Sequence, residues 1–373
     1  PLKDVTIGII GVNSSFTGDV YLDNLTLSQK DATEDFVEIT AQPGEGTIAK
    51  ITTPDSIKIT DVEADKSAKA LYAYLQGLTK NEQVLFGHQN DVNKSVNTSA
   101  DLGDVADVTG SVSGVFGIDS LGVVGSEAGG TSSADALTKA VEASKKAAAN
   151  GSIVTLSTHM PNFAAASLDG DAIKKNEDGT YDFHKCDFNE SKVCTSNAID
   201  EVLKEGSESN KKLNAYLDII ANYANQLAEE NIPVIFRPYH ENTGTWFWWG
   251  AQNSAESYKS LYRYTKDYLE NKGVHNMLYV YSPNGPLEST DEYMSRYPGD
   301  EYVDILAFDY YDDYSSTSEA YDASYFTSLD KTCKVVSKLA TEKGKIAAIS
   351  ECGVRVTREG SSEGLAIKGN PIA

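Results

Sequence analysis

Residues 210–241 read NKKLNAYLDIIANYANQLAEENIPVIFRPYHE. Leu213, Tyr216, Leu217, Ile220, Tyr223, Ala224 and Leu227 recur at three- and four-residue spacing, which predicts a helix over Asn210–Glu230 with one apolar face. The run that follows, Pro233 to Glu241, is too short for a second helix. It opens with apolar, β-branched residues, as a strand buried on both faces does, and closes on Arg237, Tyr239, His240 and Glu241. A helix feeding a buried strand whose exit is polar is the repeating unit of an α/β protein that carries its chemistry at strand C-termini.

Working outward, the same kind of run recurs at Val84–His88, Ser113–Ile118, Ile153–His159, Met277–Pro283, Ile305–Tyr311 and Lys345–Glu351, with helical stretches between. Seven parallel strands are implied, and the expected fold is an α/β (β/α)8 TIM barrel, with a doubly wound sheet as the weaker alternative. After Glu351 the chain is Gly-rich and polar, with only Leu365-Ala366-Ile367 as an apolar run, so the barrel is expected to lack its eighth strand-helix unit in this sequence. Upstream, residues 1–28 read as two alternating strands, which cannot bury a face by themselves. Residues 29–65 are acidic, Thr-rich and broken by Pro43, Gly44, Gly46 and Pro54, as a linker is, leaving 66–373 as the main domain.

Composition narrows the chemistry. A formal charge of −23 argues against nucleic acid and anionic lipid as partners, since both need a concentrated positive field. No run of about 18 apolar residues offers a membrane span. The start, Pro1-Leu2-Lys3, has no methionine and reads as cut from a longer precursor. Cys186, Cys194, Cys333 and Cys352 are too few and scattered for a disulfide scaffold or zinc finger. A local disulfide between Cys186 and Cys194 and unpaired thiols are equally open. No metal and no cofactor are expected, because His and carboxylates do not recur at ligand spacing.

Two strand exits carry carboxylates. The first continues as Glu241-Asn242-Thr243-Gly244-Thr245-Trp246-Phe247-Trp248-Trp249-Gly250 and brings all three tryptophans of the chain beside polar groups, a setting suited to stacking on sugar. The second is Ile349-Ser350-Glu351-Cys352-Gly353. Each has a plainer reading: an Arg237–Glu241 pair satisfied in the core, and a surface glutamate at a loop start. Together they sit on the fourth and seventh strands, which face each other across an eight-stranded barrel. Glycoside hydrolysis needs two such carboxylates flanking the scissile bond.

The region from about Lys66 onward resembles glycoside hydrolase family 26. Beyond the two glutamate motifs, it is similar in Phe86-Gly87-His88-Gln89, Ser157-Thr158-His159, Tyr281-Ser282-Pro283-Asn284 and Phe308-Asp309-Tyr310-Tyr311. The resemblance implies a retaining endo-β-1,4-mannanase acting on mannan, glucomannan or galactomannan, with Glu241 as general acid/base and Glu351 as nucleophile. It implies that Tyr311 orients the nucleophile with Asp309 as a supporting carboxylate, that His159 and His240 bind sugar hydroxyls, and that Trp246 is an aromatic platform. His88 and Trp249 are further candidates for substrate contact, although Trp248 and Trp249 cannot both face the cleft if the stretch is extended. The family pattern also has a Trp-Arg pair at the eighth strand, and no tryptophan follows Trp249 here. The strand at Asp19–Leu27 resembles the last strand of β-sandwich carbohydrate-binding modules, which implies that residues 1–28 are the tail of such a module. The enzyme is expected to be secreted, a monomer within a larger multimodular chain. The alternatives are a lichenase-type β-1,3-1,4-glucanase or xylanase of the same family, a non-catalytic carbohydrate-binding protein, and a metal-dependent barrel hydrolase using His88, His159 and His240.

Overall fold

A computed structural model of the chain describes residues 57–354 apart from 82, 96–100, 128, 166–172, 187–195 and 313–322. The expected strands at 1–28, most of the linker, the stretch beyond 354 where an eighth unit would lie, and Cys194 of the suggested disulfide fall outside the described residues.

The strands are β1 (Gly87–Gln89), β2 (Val115–Asp119), β3 (Ile153–Ser157), a small hairpin β4 (Lys174–Lys175) and β5 (Tyr181–Asp182), then β6 (Val234–Arg237), β7 (Met277–Tyr281), β8 (Ile305–Asp312) and β9 (Ile346–Val354). Apart from the hairpin they form one seven-stranded sheet in chain order, every neighbouring pair parallel, as a (β/α)8 barrel requires. The helices are α1 (Lys66–Lys80), α2 (Asp104–Thr109), α3 (Ser120–Val123), α4 (Ser133–Ala149), α5 (Ala198–Leu203), α6 (Glu208–Ala228), α7 (Ala255–Asn271), α8 (Thr290–Met294) and α9 (Ala323–Lys343). The helix expected over Asn210–Glu230 is α6, started by Ser207, whose hydroxyl accepts the Asn210 N–H at 3.1 Å.

Side chains along a strand alternate between two cores. On β7, Met277, Tyr279 and Tyr281 join the large cluster beneath the surrounding helices, with Leu213, Leu217 and Ile220 of α6. Leu278 and Val280 instead join Ile153, Ile305, Ala307 and Ile346 in a second cluster, which Ala68, Leu71 and Tyr72 of α1 complete. The sheet curls. In a flat sheet β6 and β9 would stand three strand spacings apart, about 14 Å, yet Arg237 of β6 donates directly to Glu351 of β9.

Residues 57–65, the last part of the stretch read as linker, pack at the strands' N-terminal ends. The Thr60 amide and hydroxyl donate to Asp304 at 2.7 and 3.0 Å, Asp61 meets the His275 ring at 2.9 Å, and the Asp65 amide donates to the His275 carbonyl at 2.8 Å.

Candidate active site

Strand β6 stops at Arg237, four residues short of the expected end at Glu241. Pro238 has no N–H to give the ladder, and Tyr239 and Glu241 both take left-handed backbone, at φ 51° and 53°. This conformation is costly for non-glycine residues and is held by fixed partners. The Tyr239 hydroxyl meets Thr265 at 2.8 Å, its carbonyl accepts from Tyr258 at 3.0 Å, and the Glu241 amide donates to the Ser282 carbonyl at 2.8 Å. Tyr239 is thereby sunk in the core while Glu241 stays partly open. Glu241 Oε2 accepts the indole N–H of Trp246 at 2.6 Å. Burial and the neighbouring Glu351 charge raise the Glu241 pKa above the usual carboxylate range, against the opposing pull of that indole.

The second carboxylate depends on a bulge. Phe308 pairs with Ile349, but Asp309 pairs with Glu351, so Ser350 is an extra residue in β9. Ser350 and Glu351 consequently both face the site, where strict alternation would have turned Glu351 away. The Ser350 hydroxyl lies 2.6 Å from Asp309 Oδ1 and 2.7 Å from the Ser282 hydroxyl, which itself reaches Asp309 at 3.0 Å. Arg237, almost fully buried, spans the two acids: one guanidinium nitrogen donates to Asp309 Oδ2 at 2.7 Å and the other to Glu351 Oε1. The Tyr311 hydroxyl donates to Glu351 Oε2 at 2.9 Å. Burial pushes the Asp309 carboxyl up and Arg237 opposes it; the three donors converging on its oxygens hold it as the carboxylate partner of Arg237. Despite its burial, Arg237 stays firmly charged between the two acids.

Two histidines line the same region. His159, two residues beyond β3, meets Asp119 Oδ2 through Nδ1 at 2.9 Å, and Asp119 also accepts the His159 amide at 3.0 Å, the Leu121 amide at 2.9 Å and the Ser157 hydroxyl at 2.5 Å. Burial works against a charged His159 ring, but the Asp119 carboxylate outweighs it and raises the pKa to about 9. His240 stands edge-on to His159, ring centroids 4.5 Å apart, with Nε2 4.0 Å from Glu351 Oε1. Burial, Arg237 and His159 push its pKa well below the ordinary value, so it is neutral.

Of the residues singled out from sequence, Glu241, Glu351, His159, His240, Trp246, Asp309 and Tyr311 therefore gather in one place. His88 lies on β1, and its charged neighbour is Asp91, at 3.5 Å. Trp249 needs correction as a substrate contact. It is fully buried, stacked on Phe247 with centroids 4.4 Å apart, and its N–H donates to the His240 carbonyl at 2.8 Å, so it backs the histidine and has no face for a sugar. Trp248 is buried likewise, donating to the Met160 carbonyl at 3.0 Å. Sequence reasoning missed Asp119, Ser282, Ser350 and the bridging of Arg237. Only Arg237, a cation at the end of a buried strand, carried a signal.

His240, Asp309 and Glu351 bring ligand-type atoms within 4.8 Å of one another. The Arg237 guanidinium already occupies both carboxylates, and a second cation there would be repelled. The arrangement fits a carboxyl that exchanges a proton beside a carboxylate held by donors.

The model of the family described as Glycosyl hydrolase family 26 matches residues 60–359. The chain is 37% identical over 310 residues to a mannan endo-1,4-beta-mannosidase of Bifidobacterium adolescentis, covering 80% of this chain and 28% of that relative's length. Among solved structures it is similar to the catalytic domain of a Bacillus sp. JAMB-750 endo-beta-1,4-mannanase, with 36% identity and TM-score 0.67, covering 82% of this chain and 77% of that one. A Cellulomonas fimi endo-beta-1,4-mannanase double mutant matches at 34% identity and TM-score 0.69, covering 83% of this chain and 65% of that one.

Proposed function

The chain belongs to glycosyl hydrolase family 26, and on that premise we propose that it is a retaining endo-β-1,4-mannanase cleaving mannan, glucomannan or galactomannan. The observation that carries the reading is the unequal treatment of two neighbouring carboxyls. Glu241 is pushed toward its protonated form, while Glu351 accepts from Arg237 and Tyr311, donors that suit an ionised group.

In the first step the Glu351 carboxylate attacks the anomeric carbon as the bond to the glycosidic oxygen breaks, and the Glu241 proton passes to that leaving oxygen. In the second, Glu241 takes a proton from water, whose oxygen attacks the same carbon and releases the Glu351 carboxylate. Tyr311 and Arg237 orient the nucleophile. His159, whose side chain keeps 24% exposure, is assigned to sugar hydroxyls, with the almost fully buried His240 packed behind it beside Glu351. Trp246 is assigned to an aromatic platform beside the cleaved bond, for which its 38% exposure is suitable. The mannan-cleaving relatives support the substrate class. Such polymers do not cross membranes, so we place the enzyme outside the cell, as a monomeric catalytic unit in a larger chain. Residues 1–28 are proposed to close a carbohydrate-binding module, joined by the linker that follows.

The test is a panel of mannan, lichenan and xylan with the protein and its Glu351→Ala variant. Mannan cleavage that starts as the β-anomer and vanishes in the variant is expected. Cleavage of lichenan or xylan alone would replace the substrate, and unchanged turnover in the variant would remove Glu351 from the mechanism.

A further inference from the structure

The loop from Glu241 to Asn253 folds back on Gly244. The Gly244 amide donates to the Glu241 carbonyl at 3.0 Å, and its own carbonyl accepts from the Ala251 amide at 2.6 Å. A Cβ at Gly250 would meet that carbonyl at 2.3 Å, so the loop closes tightly there. Gly244 does not use left-handed backbone; no torsion angle demands a glycine. Space does. A Cβ built at residue 244 would lie 2.3 to 2.5 Å from three atoms of the Trp246 six-membered ring. With the backbone pinned on both sides, the indole is the part that would have to move.

That indole is the group whose N–H reaches Glu241 Oε2. A carboxylic acid has one oxygen bearing its proton and one free to accept. With Oε2 committed as acceptor, the proton belongs on Oε1. We propose that Gly244 is a positioning residue: the space left by its missing side chain seats the Trp246 indole, and the indole held there keeps the Glu241 proton on Oε1, ready for the leaving oxygen. The inference rests on the proposed role of Glu241 as general acid and adds what fixes the direction of its proton.

Leaving-group dependence tests it. Breaking a bond to a sugar oxygen needs the acid, whereas a 2,4-dinitrophenyl leaving group departs without a proton. General acid–base catalysis is worth about 10²–10⁴ in rate, so a misdirected proton in Gly244→Ala is expected to cost roughly tenfold to a hundredfold in kcat on mannan. The glycosylation rate of 2,4-dinitrophenyl β-mannobioside should stay near that of the parent. Because the indole N–H lowers the Glu241 pKa, the alkaline limb of kcat/KM on mannan should also move to higher pH in the variant. Trp246→Phe, which keeps a ring and removes the donor, should move the alkaline limb to higher pH in the same way. Full mannan activity in Gly244→Ala overturns the proposal, as does an equal loss on both substrates, which would mean a sugar-stacking or folding defect. Glu241→Ala is the reference: if it fails to separate the two substrates, the acid assignment itself falls; if it separates them and Gly244→Ala does not, only the role of Gly244 falls.

Discussion

At Asp119 five donors converge on a carboxylate with almost no exposure to water, and the consequence is carried by His159. The folded His159 pKa of about 9 lies above the ordinary 6.5. Its contribution to stability is therefore fully present below about pH 6.5 and is lost as pH rises toward 9. Asp119→Asn should abolish the charge pairing and flatten that part of the stability profile. Urea unfolding at pH 6 and pH 9.5 should show the parent losing up to about 3 kcal/mol more than the variant over this interval. A second prediction concerns Glu241. Glu351 raises its pKa, so Glu351→Gln should lower it, seen as a downfield-to-upfield carboxyl titration at lower pH in ¹³C-labelled protein. Arg237→Met would leave Asp309 buried without its cation, and a loss of about 3–5 kcal/mol in unfolding free energy is expected, together with loss of activity.

Elements were legible in proportion to how far their own residues determine them. The stripe Leu213 to Leu227 could pack only as a helix, and α6 forms within two residues of the expected bounds. All seven apolar runs became parallel strands in the expected order, since a short apolar run between turn signals reads as a strand without knowledge of its partners. Only the inner ones are buried on both faces, while Val84 and Phe86 before β1 and Ile349 on β9 stand exposed. Boundaries failed where a tertiary partner decides them: β6 yields at Pro238 to a left-handed pair that Thr265, Tyr258 and Ser282 hold in place, and no local pattern shows those partners. Trp249 was misread for a related reason, since nothing in the run Trp246 to Trp249 says which ring is turned inward. The bulge at Ser350 leaves no compositional trace at all. At the element scale the caps give a clean test: Ser207→Ala at the start of α6 removes the acceptor for Asn210 and should cost about 1 kcal/mol, measured by chemical denaturation, with mannan turnover unchanged.

Over the whole molecule, the formal charge of −23 exerts no pull on a neutral polysaccharide. Raising the salt from about 20 to about 500 mM, which shortens the screening length from roughly 21 to roughly 4 Å, should therefore leave kcat/KM on mannan nearly flat. The Arg237 bridge has a different consequence. It joins the fourth and seventh strands of the sheet through the very carboxylate that is proposed to bond the sugar. Once Glu351 is esterified it carries no charge, and Arg237 keeps only Asp309 as an ionic partner. On the proposed mechanism the sheet's cross-brace is slackened and drawn tight again with every catalytic cycle. Trapping the ester with a 2-fluoro mannoside should speed amide hydrogen exchange at the C-terminal end of β9, while β2 and β3 stay as they were.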